Sequence, residues 1–113
     1  MLGKITLALA TVISGFALAS PVAAHTFATI DCIARLNAAE TRICSSQHLQ
    51  VLDAWITEKY AVLMNDRRRA PDQHEALRDS QYEFLSRRDR CGGSYRCLHE
   101  VMSLRAIRID YYR

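Results

Sequence analysis

In residues 45–69, SSQHLQVLDAWITEKYAVLMNDRRR, apolar side chains recur with the period of an α-helix. The apolar positions form one stripe at spacings of three, four and seven residues: Leu49, Leu52, Ile56 and Leu63. Trp55 and Tyr60 fall at the edge of this stripe. Ser45 or Ser46 can cap the start, because a serine hydroxyl accepts a hydrogen bond from an unpaired N–H of the first turn. The pattern predicts an amphipathic helix with one face in a core.

A second helix is predicted directly after the first. The run Arg67-Arg68-Arg69 lies near the far end of the first helix, where cations suit the negative end of the helix dipole. Pro71 ends or kinks that helix and is well placed as the first residue of the next. The second helix carries Leu77, Gln81, Phe84, Leu85 and Arg88. It should stop at Gly92-Gly93, because glycine readily adopts the left-handed geometry of a helix C-terminus.

The flanking segments also favour helices. Ser94 can cap a further helix. The apolar face of that helix comprises Leu98, Met102 and either Ala106 or Ile109. Residues 34–44 suggest a short helix of less certain register, and no alternating run is long enough for a strand. The sequence therefore predicts an all-α fold, a small hairpin or bundle of three to four helices.

The N-terminus has the composition of a secretory signal peptide. Lys4 gives a positive start, residues 5–19 are uncharged and apolar, and small residues lead to Ala24. Cleavage after Ala24 leaves 89 of the 113 residues, enough for a single domain over residues 25–113. No cysteine lies directly after the cleavage site, where it could accept a lipid; the first is Cys32. We therefore expect a periplasmic or secreted protein.

Four cysteines lie in the predicted mature part: Cys32, Cys44, Cys91 and Cys97. In an oxidising compartment they predict two disulfide bonds. Four cysteines allow three pairings, and the sequence alone does not choose among them. We prefer the local pairs Cys32–Cys44 and Cys91–Cys97, because each brackets a predicted turn. A zinc site is the weaker alternative, since no Cys-x-x-Cys or His-x-x-x-His spacing occurs.

The sequence does not favour an enzyme. It contains no Gly-x-Ser-x-Gly turn and no glycine-rich phosphate loop, and its four histidines are scattered singly. Asp79 and Glu83 share a helix face, but Arg78 and Arg87 beside them indicate a solvated, charge-mixed surface. We therefore predict no catalytic residues, no metal and no cofactor.

The basic residues are a candidate binding site for a polyanion. Arginines cluster at positions 67–69 and again at Arg87, Arg88 and Arg90. Without Lys4, however, the mature part has 14 Lys and Arg against 12 Asp and Glu, a net charge of only +2. That charge and the exported location argue against nucleic acid. Binding to a membrane surface or to peptidoglycan stays open as an alternative, and so does the oligomeric state.

Two groups of residues around the cysteines resemble the lysozyme inhibitor LprI-like domain family of small exported bacterial envelope proteins. The first group is Asp31-Cys32, Glu40, Ile43-Cys44, Leu52-Asp53 and Tyr60. The second group is Gln81, Phe84-Leu85, Arg88-Asp89-Arg90-Cys91, Cys97-Leu98 and Arg105. Phe84 stands where the family often has Trp, and Met102 where it often has Tyr. Both substitutions keep an apolar residue, so the family's helical fold is still expected.

The resemblance implies a protein partner, a lysozyme, whose cleft this chain would block. It also marks candidate binding or structural residues: Asp31, Glu40, Asp53, Tyr60, Gln81, Arg88, Asp89 and Arg105. Structural roles are the better hypothesis. Asp31, Glu40 and Asp53 would serve as caps and ion pairs near Cys44, and Arg88 would pair with Asp89. Two alternative functions are a periplasmic stress or chaperone-like protein and an envelope protein that binds cell wall or anionic lipid through its arginines.

Overall fold

The computed structural model describes Gly3 and residues 29–112, and the regular structure within them is entirely helical. Its elements are α1 (Ala38–Cys44), α2 (Gln47–Met64), α3 (Pro71–Arg90), α4 (Tyr95–Arg108) and a 3-10 helix (Ile109–Tyr112). This architecture confirms the predicted all-α class and the disulfide-stapled bundle. The predicted export leader, residues 1–24, lies outside the described residues apart from Gly3.

Local capping explains where the helices begin. The Ser46 hydroxyl accepts the Leu49 N–H at 3.3 Å, and the Ser94 hydroxyl accepts the Cys97 N–H at 3.3 Å. Pro71 is the first residue of α3, as its position in the sequence predicts. Gly92 has a φ of +56°, a conformation that costs glycine little, and it lies in the turn between α3 and α4.

Two helix boundaries differ from the sequence-based expectation. α2 ends at Met64, so Arg67-Arg68-Arg69 follow the helix in a turn instead of lying in its last turn. The first helix starts at Ala38, four residues later than predicted. Its start is fixed by Asn37 and Glu40, because the side chain of each accepts the backbone N–H of the other.

Contacts between side chains define the helix directions. His48 faces His99, with ring centroids 5.0 Å apart, and Lys59 Nζ lies 3.5 Å from Asp110 Oδ1. The constant offset of 51 residues means that α2 and α4 run parallel. α3 runs antiparallel to both, and α1 packs against the same end of all three long helices.

The core fills the space between these helices. Its most deeply buried large side chains are Ile43, Leu49, Ile56, Leu77, Leu98, Met102, Ile109 and Gln81. Tyr60 was expected at the edge of the α2 stripe but is only 4% exposed. Because α2 packs against α3 and α4 together, its buried face is wider than one apolar stripe. Trp55 does lie at the edge and is 46% exposed.

Two disulfide bonds close local loops at the end of the bundle that carries α1. Cys32 is bonded to Cys44, with 5.6 Å between their Cα atoms, and Cys91 is bonded to Cys97, with 5.5 Å. These are the pairs preferred from the sequence. The first bond holds the segment of turns before α1, and the second joins the end of α3 to the first turn of α4.

Candidate functional site

Three acidic residues of the two sequence groups converge on one buried arginine. Arg88 is 6% exposed, and its Nη2 lies 2.9 Å from Asp89 Oδ1. Its Nη1 lies 3.8 Å from Asp53 Oδ1, and its Nη2 lies 4.0 Å from Glu40 Oε2. Glu40, Asp53 and Arg88 come from α1, α2 and α3, so one guanidinium joins three helices. We call this set the Arg88 cluster.

Asp53 also holds the segment that precedes α1. Its Oδ2 accepts the Ile30 N–H at 3.1 Å. Burial raises the pKa of Asp53 above its ordinary value, although the Ile30 hydrogen bond and the positive charge of Arg88 act in the opposite direction. A raised carboxyl pKa is one mark of an acid catalyst. Here, however, both oxygens are engaged by partners within the protein, which indicates a structural role.

A second polar cluster joins α3 to α4. Arg105 Nη2 donates to Gln81 Oε1 at 2.8 Å and to Ser80 Oγ at 3.1 Å. The guanidinium lies 5.6 Å from the Phe84 ring centroid and 5.8 Å from that of Tyr112. Burial lowers the pKa of Arg105. Because Gln81 is 1% exposed, this arginine supplies a hydrogen bond that water cannot reach.

The remaining sequence-predicted residues lie in separate places. The Asp31 Oδ1 accepts the Ile33 N–H at 3.1 Å in an exposed turn. Tyr60 lies in the core, where burial raises the pKa of its hydroxyl. The candidate residues therefore form two interhelical clusters, a turn and a core position. Their geometry supports the structural roles expected for Asp31, Glu40, Asp53, Arg88 and Asp89, and it brings no common outward surface together.

A set of exposed apolar side chains was not among the sequence-predicted site residues. Val51, Trp55 and Val62 share one side of α2 and are 61%, 46% and 62% exposed. Leu104, Ile107 and Tyr111 share one side of α4 and the 3-10 helix and are 44%, 62% and 82% exposed. We call these six residues the apolar face. Val51 and Val62 lie outside the core stripe predicted for α2. Their position on the helix was the feature of the sequence that could have indicated an exposed apolar surface.

One lysine connects the two halves of the apolar face. Lys59 Nζ lies 4.8 Å from the centroid of the Trp55 ring. The same ammonium group pairs with Asp110, the residue before Tyr111. A cation above a tryptophan ring is attracted by the ring quadrupole, so this contact orients the indole.

Arginines line two other surface depressions. A groove of about 220 Å³ between α3 and α4 is lined by Arg87, Arg105 and Arg108 together with Glu83. A recess of about 310 Å³ beside the turn after α2 is lined by Lys59, Arg68, Arg69, Asp66 and Asp110. Asp66 pairs with Arg68, whose hydrogen bonds lower the pKa of that carboxyl. The Nε of Arg69 is buried without a hydrogen-bond partner.

Two histidines that are far apart in the sequence, His48 and His99, lie together in the fold. The rings of His48 and His99 are 5.0 Å apart, and Tyr95 stacks on His99 at 5.9 Å. Within residues 29–112, no cluster of three or more His, Cys, Asp or Glu side chains has the arrangement of a metal site. In the same part of the chain, none of the helices is long and apolar enough to cross a membrane.

Comparison with known protein families gives a match that covers most of the described helices. The model of the family described as lysozyme inhibitor LprI matches residues 32–107. No curated protein and no solved structure matches significantly. The matched residues include both disulfides, the Arg88 cluster and the Gln81–Arg105 contact.

Proposed function

This chain belongs to the lysozyme inhibitor LprI family, and on that premise we propose that it is an exported protein that binds a lysozyme and blocks its cleft. The match over residues 32–107 carries this proposal, because it includes every cysteine and the residues that hold the helices together. The proposed activity is inhibition by binding, without catalysis by this chain.

The architecture supports inhibition by a rigid surface. Two disulfides and two buried polar clusters fix four helices relative to one another. A surface that is ordered before binding loses less conformational entropy when the complex forms. The protein can therefore present a preformed shape to the enzyme.

Export is part of the proposal. The predicted signal peptide, residues 1–24, would leave one mature helical domain, residues 25–113, in the periplasm or outside the cell. The two disulfides support this location, because such bonds persist in oxidising compartments.

A turbidity assay tests inhibition. Protein purified after export, with both disulfides formed, is added to a lysozyme that is clearing a suspension of cell walls. We expect the clearing rate to fall in a dose-dependent and saturable way for at least one lysozyme type. The same protein after reduction and alkylation is the control and should inhibit less. No inhibition of any of several lysozyme types at micromolar excess would refute the proposal.

Binding to an anionic envelope polymer is a second candidate. The cations Lys59, Arg68 and Arg69 that line the 310 Å³ recess favour it, since carboxylate and phosphate oxygens pair with such groups. Co-sedimentation with isolated cell wall that weakens as salt rises would support it. Arg69→Gln should then reduce sedimentation, whereas Arg42→Gln, at an exposed arginine of α1, should not. Equal sedimentation of both variants with the wild type would contradict it.

A further inference from the structure

The exposed surface of α2 differs in composition from that of α3. Of eight exposed residues in α2, only Glu58 carries a charged side chain. Of thirteen exposed residues in α3, eight are charged. The water-facing side of a helix usually carries many charges, as that of α3 does. The outer side of α2 therefore has the composition of a surface that meets another molecule.

The apolar face extends from α2 onto α4. The two helices are neighbours and run parallel, with Lys59 linking Trp55 to Asp110 across the seam between them. Trp55 lies beside this seam through its contact with Lys59, whereas Leu104 lines the groove between α3 and α4. Apolar patches of this kind on small soluble proteins mark interaction sites, and tryptophan and tyrosine are enriched among the residues that dominate binding energy. Trp55 and Tyr111 are the aromatic anchors this face offers.

The charge of each surface affects how readily a lysozyme can approach it. Animal lysozymes are strongly basic, so an arginine-rich surface repels them at long range. The groove between α3 and α4 carries three arginines and the recess after α2 carries Arg68 and Arg69. On the outer side of α2, Glu58 is the only exposed charged residue, and Lys59 at its edge is paired with Asp110. Val62 and Leu104, at the margins of the apolar face, line the recess and the groove respectively. A basic enzyme therefore meets less repulsion around Trp55 than at either depression.

We infer that the apolar face, centred on Trp55, is the surface that contacts the lysozyme. This assignment rests on the function proposed above and adds the location of the contact. In the complex, the side chains of Trp55 and Ile107 are buried against the enzyme. The Arg88 cluster and the contact between Arg105 and Gln81 do not touch the enzyme but hold α2 and α4 in place.

Substitutions on two faces test the assignment in the turbidity assay. Trp55→Ala and Ile107→Gln each change an exposed side chain of the apolar face without adding a charge. Tyr82→Ala is the matched control, because Tyr82 is an aromatic residue of α3 that is 51% exposed. We expect the first two to raise the half-inhibitory concentration by about tenfold or more, and the control by less than about twofold. Thermal unfolding of each variant verifies that it is folded.

Fluorine NMR gives a readout that needs no amino-acid substitution on the apolar face. The chain has a single tryptophan, so 5-fluorotryptophan labelling gives one resonance, from position 55. We expect this resonance to shift or broaden on addition of unlabelled lysozyme and to saturate with the inhibition curve.

The outcomes separate the two proposals. If the wild type inhibits but the Trp55 and Ile107 variants inhibit equally well and the resonance does not move, the assignment is wrong and the proposed function stands. If the resonance shifts when the concentration of the protein itself is raised but not when lysozyme is added, the apolar face binds a second copy of the chain. That result would overturn the inference. If the wild type inhibits no lysozyme, the proposed function fails and the assignment fails with it.

Discussion

The guanidinium of Arg88 lies 3.8 Å from the carboxylate of Asp53, across the contact between α3 and α2. Both side chains are largely buried, and the same arginine also reaches Asp89 and Glu40. The arginine thus offsets repulsion among three carboxylates that the fold brings together. Because Asp53 also holds the Ile30 backbone, this one pair connects the bundle to the stapled N-terminal segment.

Removing the cation should destabilise the fold strongly. Arg88→Met keeps much of the apolar volume but leaves Asp53 buried without its ion-pair partner. We expect the free energy of unfolding to fall by about 3–5 kcal/mol, the range for breaking a buried ion pair. Chemical denaturation measures this difference. Arg87→Met, whose arginine pairs with Glu83 at the surface, is the control and should cost less than about 1 kcal/mol. An equal loss for both variants would contradict the structural role of the Arg88 cluster.

The raised pKa of Asp53 predicts a pH dependence of a definite sign. Burial favours the neutral carboxyl in the folded state, so ionisation of Asp53 costs stability as the pH rises through its folded pKa. Its favourable contribution is complete below the ordinary pKa of 3.8 and is lost as the pH rises through the raised pKa of the folded state. Asp53→Asn cannot ionise. Its stability relative to the wild type should therefore rise between pH 3 and pH 7, as measured by urea denaturation at each pH.

The matched control for this pH series is Glu58→Gln, a change of an exposed carboxylate on the same helix. If the wild type instead gains stability over Asp53→Asn as the pH rises, the charge of Arg88 outweighs the burial of Asp53.

The two disulfides should contribute unequally. The bonded cysteines are 12 residues apart in Cys32–Cys44 and 6 apart in Cys91–Cys97. In the chain-entropy model, bonds closing loops of these lengths contribute about 3 and about 2 kcal/mol respectively. We expect replacement of the first pair by alanine also to release the Ile30 N–H from Asp53, which hydrogen exchange would detect as lost protection. Unchanged protection at Ile30 would show that the segment stays docked without the bond.

The contact between Arg105 and Gln81 should tolerate little change. Arg105→Met leaves the Gln81 side-chain oxygen buried without a donor, so we expect a loss of about 1–3 kcal/mol. Arg105→Lys should recover only part of this, because an ammonium group lacks the planar guanidinium geometry. Pairing Arg105→Met with Gln81→Leu in a double-mutant cycle tests the contact, since a coupling energy near zero would mean that the hydrogen bond contributes nothing.

Local features of the fold were predictable because their causes are local. Ser46, Pro71 and Ser94 start helices through interactions within one turn, and the preferred cysteine pairs join residues that are close in the sequence. The pairing of Arg88 with neighbouring Asp89 was predictable for the same reason.

Features that depend on helix register were not predictable in detail. The contact between Asp53 and Arg88 spans 35 residues and exists only because α2 and α3 run antiparallel. Tyr60 was predicted at the edge of the α2 stripe but is buried, because the sequence of one helix does not indicate how many other helices pack against it. The apolar face was missed because the exposure of Trp55 depends on how α4 packs beside α2.

Isothermal titration calorimetry of the exported, oxidised protein with lysozyme tests the central claim most directly. We predict saturable binding of one molecule per enzyme with a Kd of about 1 μM or tighter. The heat-capacity change should be negative, because the apolar face is buried in the complex. No saturable heat at two temperatures with any of several lysozyme types would contradict the assignment of this protein as a lysozyme inhibitor.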